Sequence, residues 1–432
     1  MGRKKSENLH SEKSLDAIFK TKLMDVKEKT GDRIYVNGDD ESRVFCIDVP
    51  FALKILFQLP GMPMGRFMLI AGVPESCKSA LSYEFGRLHR IHGGGYSLIE
   101  TENKDSTLLR KSIVGYDDCR SSVVYVEFQE EWMTALNYQI DVVKEALDEF
   151  TPPRSVPWAF IVDSLAGVTT KSIGEDIDDT GTSKLVQPQQ ANLLNLFMKR
   201  MVHWVGEYPI SVFGVNHLKL APDRYGNLTI KKMQGGYAPK FHESIEINTK
   251  PDGKQDVRRE PIFEYFKKIK LSVGKNSLAP HSPELGVELV WNFVPIDPSN
   301  PDSPVMQRSF FDWGTTSIEY LMKLEGLPAA IRNRVRDIID LRPGKKGNYV
   351  YSEALGIPES EPVTYRVAGR MLDKRLDIQD KLLPCLGIRP CFMFQPGADL
   401  SVQRQEAISN IVRITGDLAD YIELNPNKIP ME

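Results

Sequence analysis

The 432-residue chain holds no run of 18 apolar residues, so nothing in it reads as a membrane-spanning helix. Its first residues, MGRKKSENLHSEK, lack the apolar centre of a secretory signal. Cysteine is scarce. Cys46, Cys77, Cys119, Cys385 and Cys391 are odd in number, with neither a CxxC pair nor a Cys/His ligand spacing. That argues against a disulfide scaffold and a zinc module. It points to free thiols in a reducing compartment: the cytoplasm, or a host's cytoplasm if the chain is viral. Neither sign of charge prevails. Lys plus Arg number 55 and Asp plus Glu 58, a net −3. A histone-like or polybasic protein is excluded, and any nucleic-acid surface must be a local patch. Hydrophobic residues make up 41%, too many for a disordered chain and enough for two or three cored domains.

What is present is an alternation of short apolar runs and helical periods. After a polar tail, residues 14–30 place Leu15, Ile18, Phe19, Leu23 and Val26 at helical spacing, with Ser14 as N-cap. RIYV at 33–36 reads as a strand. From Arg66 to Phe293 the runs MLIAG, GYSLIE, SVVYVEF, WAFIVDS and ISVFGVNH read as buried strands, separated by helices such as 78–94, 132–150 and 189–206. This predicts an α/β fold: a mostly parallel central sheet flanked by helices. The Pro-rich segment VPIDPSNPDSP reads as a linker. The expected divisions are an N-terminal element at 1–45, a core at 46–295, a linker at 296–304 and a mainly helical C-terminal domain at 305–432. Its helices are expected at 315–326, 328–341, 364–381 and 401–424.

The sharpest local pattern is Gly72-Val73-Pro74-Glu75-Ser76-Cys77-Lys78-Ser79, set between an apolar strand and a helix start. That is the context a phosphate-binding P-loop requires. Backbone N–H groups and the helix N-terminus would cradle phosphates, Lys78 would neutralise their outer oxygens, and the Ser79 hydroxyl would ligate Mg²⁺. The pattern wants glycine where Cys77 stands. If the turn there needs a positive φ, the cysteine is strained by roughly 1–2 kcal/mol. A thiol beside a lysine at a helix start is also where the pKa falls, although a small tolerated side chain serves equally as a reading.

Three strand ends carry polar groups. Asp163 closes WAFIVDS, placed to orient Mg²⁺ or its water. Glu100 and Glu102 point the same way if the strand continues through them, and a carboxylate there could activate water. Asn216 and His217 end a third strand and could sense a terminal phosphate.

Taken in order, these segments resemble the RecA-type recombinases, and among them phage recombinases of the UvsX kind. PMGRFMLIAGVPESCKSAL resembles the family's P-loop region, GYSLIETEN the strand bearing its catalytic glutamate, and FIVDSLAGVTTK its Walker B strand. FGVNH resembles its sensor strand, MQGGYAPKFHESIEI the end of its second DNA-binding loop, and KLSVGKNSLAP the segment reaching a neighbouring subunit's nucleotide. The resemblance covers about 60–295. It implies a RecA-like core with ATP and Mg²⁺ as cofactors, held by the P-loop, Asp163 and Lys275, with Glu102, Lys78 and His217 as catalytic groups. Three departures stand out: Cys77 for glycine, His217 for the sensor glutamine, and Ser277 for the second lysine of the intersubunit pair.

The segment 218–240 carries Lys219, Arg224, Lys231, Lys232 and Lys240, interleaved with Met233, Tyr225 and Tyr237, and has Gly235 and Gly236 for close backbone approach. By composition alone it is a solvated hairpin. The resemblance implies contact with single-stranded DNA and with homologous duplex DNA, self-assembly into a helical filament through the N-terminal element, and a mediator or single-strand-binding protein as a further partner. The implied function is a DNA-dependent ATPase that promotes homologous pairing and strand exchange. Two alternatives share the motifs: a hexameric RecA-fold helicase, and a nucleotide-binding filament protein with little or no hydrolysis.

Overall fold

The computed structural model describes residues 45–102, 107–115, 121–149, 155–165, 187–206, 208–222, 228–233, 238–258, 264–279, 282–295, 305–345 and 347–388. All of these lie in one compact unit that begins at Phe45. The helix expected at 14–30, the strand at 33–36 and the helix at 401–424 fall outside the described residues.

The chain opens with β1 (Cys46–Ile47), α1 (Phe51–Phe57) and β2 (Met62–Pro63), and β1 and β2 pair as a small antiparallel ribbon. Then come β3 (Arg66–Gly72), α2 (Lys78–Ile91), β4 (Gly95–Glu100), α3 (Thr107–Val114), β5 (Ser121–Tyr125), α4 (Gln129–Glu149), β6 (Trp158–Asp163), α5 (Gln187–Val205) and β7 (Ile210–Pro222). β8 (Leu228–Met233) folds back on the end of β7, and α6 (Ala238–His242) follows. Three long strands continue the sheet: β9 (Ile245–Arg258), β10 (Glu264–Asn276) and β11 (Leu285–Pro295).

The central sheet runs β12-β11-β10-β9-β3-β7-β6-β4-β5, where β12 is Val305–Phe311. From β9 to β5 every neighbouring pair is parallel. From β9 to β12 every pair is antiparallel. The sheet is therefore mixed, and its antiparallel wing goes beyond the alternating pattern that the sequence suggested.

Side chains sort by the period of two that a strand imposes. Phe67, Leu69, Phe160 and Val162 face α4 and α5 in one buried cluster, with Trp132, Leu136 and Met198 from the helices. On the opposite face Phe85 of α2 stacks obliquely on Phe213, with ring centroids 5.0 Å apart. α2 is also covered from outside: the Trp313 indole N–H donates to the buried Glu84 carboxylate at 2.9 Å. The start of the helix after the wing thus packs on α2.

The chain past the expected linker does not leave the core at once. β12 pairs antiparallel with β11 over Val305–Phe311 before the helices begin. α7 (Trp313–Lys323) starts at Asp312, whose carboxylate accepts the Thr315 N–H at 3.0 Å as an N-cap. α8 (Ala329–Ile339) follows, then a small sheet of β13 (Arg342–Pro343), β14 (Tyr349–Tyr351) and β15 (Val363–Thr364). The single helix expected over 364–381 is two, α9 (Tyr365–Lys374) and α10 (Leu376–Cys385), broken where Arg375 takes φ −99° and ψ 72°. Among the described residues no helix is long and apolar enough to cross a membrane.

Candidate functional site

The carboxyl ends of the parallel strands meet along one edge. Gly72 stands opposite His217 on one side and Thr249 on the other, and Glu100 stands opposite Asp163. Ligands of open α/β sheets bind at such edges.

At the middle of the edge, β3 ends on Gly72 and α2 begins at Lys78. The loop between them is tightly set. Glu75 and Cys77 take φ of 62° and 61°. The expectation for position 77 holds: the turn needs the left-handed region, and the cysteine bears the cost of roughly 1–2 kcal/mol. The Ser76 hydroxyl donates to the Val73 carbonyl at 2.7 Å and lies 2.7 Å from Thr249 Oγ1. These two hydroxyls close the space over Gly72, where a Cβ would stand 2.2 Å from Thr249 Oγ1 and 2.4 Å from Ser76 Oγ. Only glycine fits there. The Lys78 ammonium is buried and donates to the Val73 carbonyl at 2.8 Å.

Burial acts on Lys78 and Cys77 at the end of this loop. It draws the Lys78 pKa down, against the pull of Asp163, Glu102 and Cys77. It pushes the Cys77 thiol up, more strongly than Lys267 and Lys78 draw it down. The lowered thiol pKa suggested by its place beside a lysine is therefore reversed. Burial also pushes the Asp163 carboxyl up, opposed first by a hydrogen bond from the Ser79 hydroxyl.

Next to Asp163 lies a second cluster. Glu102 Oε1 accepts from the Ser164 hydroxyl at 2.7 Å and lies 2.6 Å from His217 Nε2. An ionised carboxylate can only accept, so Nε2 carries the hydrogen. Thr101 locks the two turns together: its Oγ1 accepts from Ser164 N at 2.7 Å and donates to Ser164 O at 2.8 Å. The condition under which Glu100 and Glu102 would point the same way, a strand continuing through both, is not met. β4 stops at Glu100 and the chain bends, so Glu100 Oε1 turns back to accept the Glu102 N–H at 2.9 Å. Glu100 is a buried brace; Glu102 is the more open carboxylate, 15% exposed.

His217 occupies a junction. It makes the last pairing of β7 with β3, and the next residue, Leu218, makes the pairing with Met233 of β8. Lys219 lies opposite Lys232 in that hairpin, with Lys231 beside it on β8. Arg224, Gly235 and Gly236 lie outside the described residues. Lys240, on α6, holds its ammonium 3.6 Å from Glu246 Oε2. Lys275 donates to the Lys240 carbonyl at 2.6 Å and stands 3.9 Å from the buried Glu243. Ser277 binds the Ser244 carbonyl through both its N–H and its hydroxyl.

The half-buried Ser79 hydroxyl hydrogen-bonds the buried Asp163 carboxylate beside the loop, a donor set that suits Mg²⁺. Among the described residues no three His, Cys, Asp or Glu side chains converge on a metal position. Mg²⁺ shared with nucleotide phosphates needs only one or two carboxylates.

Sequence reasoning missed three contributors. Ser164 was legible only as the residue after Asp163. Thr249 and Lys267, whose ammonium donates to the Glu75 carbonyl at 2.7 Å, come from strands more than 170 positions away in sequence and match no local pattern. No model of a known protein family matches the chain, and no curated protein matches it.

Proposed function

We propose that this chain is a RecA-type, DNA-dependent ATPase that polymerises on single-stranded DNA and promotes homologous pairing and strand exchange. The observation that carries the proposal is the gathering of Lys78, Ser79, Asp163, Glu102 and His217 at one sheet edge beside a left-handed, glycine-closed loop. The loop N–H groups and Lys78 bind the phosphates of ATP. Ser79 and Asp163 would hold Mg²⁺, which when bound neutralises charge on the phosphate oxygens. Glu102 takes a proton from the attacking water, and Ser164 and His217 fix its orientation.

The junction at His217 supports coupling to DNA. One side chain contacts the catalytic carboxylate, and the following residue starts the lysine-bearing hairpin. A change at the phosphate end is therefore one residue away from the hairpin. Lys219, Lys231 and Lys232 meet backbone phosphates, and repetition of the hairpin along a filament compensates for the chain's net −3. Cytoplasmic placement, duplex DNA and a mediator protein belong to this same reading.

A second reading is favoured by one feature. Oε1 of Glu102 is engaged by two partners, Ser164 and His217, so it is not free to take up a proton in this arrangement. A nucleotide-gated filament with slow turnover would follow. The test is anisotropy of a labelled single-stranded oligonucleotide with ATP, a non-hydrolysable ATP analogue or ADP, alongside electron micrographs. The proposal predicts tight binding with both triphosphates, weak binding with ADP, and open filaments. Nucleotide-independent binding, or closed rings, would contradict it.

A further inference from the structure

β9 and β10 run past the edge of the parallel half as a two-stranded ribbon. β9 pairs with β3 only as far as Thr249, yet its pairing with β10 continues to Arg258. The ribbon is kinked on the way. Lys267 pairs with Gln255 while Ile269 pairs with Pro251, so β9 carries extra residues between them, and Gly253 within that bulge has φ 115°. A bulge increases the local twist and re-aims the side chains beside it. Here it accompanies a lysine whose ammonium arrives at the phosphate loop of a different strand.

The arrival is specific. Lys267 Nζ donates to the carbonyl of Glu75, one of the two left-handed non-glycine residues in the loop. Among the described residues this is its one hydrogen bond, so two ammonium hydrogens remain. Its charge is also close to the loop's far end: it draws the Cys77 thiol pKa down, ahead of the adjacent Lys78. Two cations therefore flank the loop, Lys78 from within and Lys267 from the overhanging ribbon.

We infer that Lys267 is a second phosphate-reading cation of this site, which favours a nucleoside triphosphate over a diphosphate. The inference rests on the nucleotide-binding reading above and adds a specificity element to it. One ammonium hydrogen holds the loop through Glu75; the others meet the oxygens of the additional phosphate. A diphosphate lacks the group that would engage them. The ribbon that carries Lys267 also carries Lys275, so nucleotide state is felt along β10 as well as through His217.

The experiment is equilibrium binding of N-methylanthraniloyl-labelled ATP and ADP, with Mg²⁺, to the full chain and to Lys267→Ala, Lys267→Gln and Lys267→Arg. The readout is the ratio of the two affinities. Loss of one charge-assisted contact to the terminal phosphate should lower the ATP:ADP ratio about tenfold in the Ala and Gln variants. Arg should keep most of it. A residue that only holds the loop would weaken both nucleotides alike and leave the ratio unchanged, and that result would overturn the inference while sparing the binding site. If the unaltered chain binds neither nucleotide, the phosphate-loop reading fails, and this inference fails with it.

Discussion

Cys77 occupies a conformation that suits glycine, and its neighbour Gly72 occupies a space that admits nothing larger. The two predict opposite responses. Cys77→Gly removes left-handed strain of roughly 1–2 kcal/mol and adds a smaller entropic cost, so the thermal unfolding midpoint should rise. A fall would show that the thiol contributes packing that outweighs the strain. Gly72→Ala drives a Cβ into Thr249 and Ser76, so nucleotide binding should be lost with the loop geometry. Glu102→Gln keeps the shape of the site and removes the proposed base. Turnover should fall by about 10²–10⁴-fold while nucleotide affinity stays close to that of the parent, as judged by steady-state rates and nucleotide titration. These positions were legible because the P-loop and strand-end acids are local patterns. The resemblance singled out Glu102, but the turning back of Glu100 was not legible, because it depends on where β4 stops, and a run such as IETEN does not mark that point.

At the scale of elements, the β7–β8 hairpin and the β9–β10 ribbon both project from the strand ends that hold the phosphate loop. The register of the hairpin sets Lys219 opposite Lys232. Replacing Lys231 and Lys232 by alanine should flatten the slope of log K against log salt for single-stranded DNA by about 1.4, at about 0.7 per phosphate contact. An unchanged slope would remove the hairpin from the interface. Where α6 meets the ribbon, burial foremost, together with neighbouring Glu246, pushes the Glu243 carboxyl up to about 8, against Lys275 and Lys240. A carboxyl raised above its unfolded value of 4.5 stabilises the fold fully below that pH, and the contribution is lost as pH rises towards 8. Glu243→Gln should therefore be more stable than the parent at pH 8 and lose that advantage near pH 4.5, as measured by denaturant midpoints across that range. The ribbon itself was hidden in the sequence. Its outer half alternates charged and polar residues on an exposed overhang, so no apolar period announces strands there.

On the scale of the whole molecule, the helices after the antiparallel wing close on the parallel half, with Trp313 donating to Glu84 of α2. Arg366 of α9 fastens the closure: it binds Glu264 through both carboxylate oxygens, at 2.8 and 3.0 Å, and Asp312 at 2.7 Å. Both acids are buried; Arg366→Ala would leave Asp312 without a cation and Glu264 with Arg258 alone, and should cost about 3–5 kcal/mol, visible as a lowered unfolding midpoint. The parallel half could be read from alternating apolar runs, because burial on both faces makes such strands continuous in hydrophobicity. The return of β12 to the sheet could not, since a Pro-rich segment looks the same as a linker or as a connection between paired strands. The central claim is that this assembly couples ATP hydrolysis to single-stranded DNA. Steady-state ATP hydrolysis with and without single-stranded DNA, in the parent and in Lys78→Ala, tests it most directly. The account predicts turnover that DNA stimulates and that Lys78→Ala abolishes; a rate that DNA leaves unchanged, or one that survives in Lys78→Ala, would contradict it.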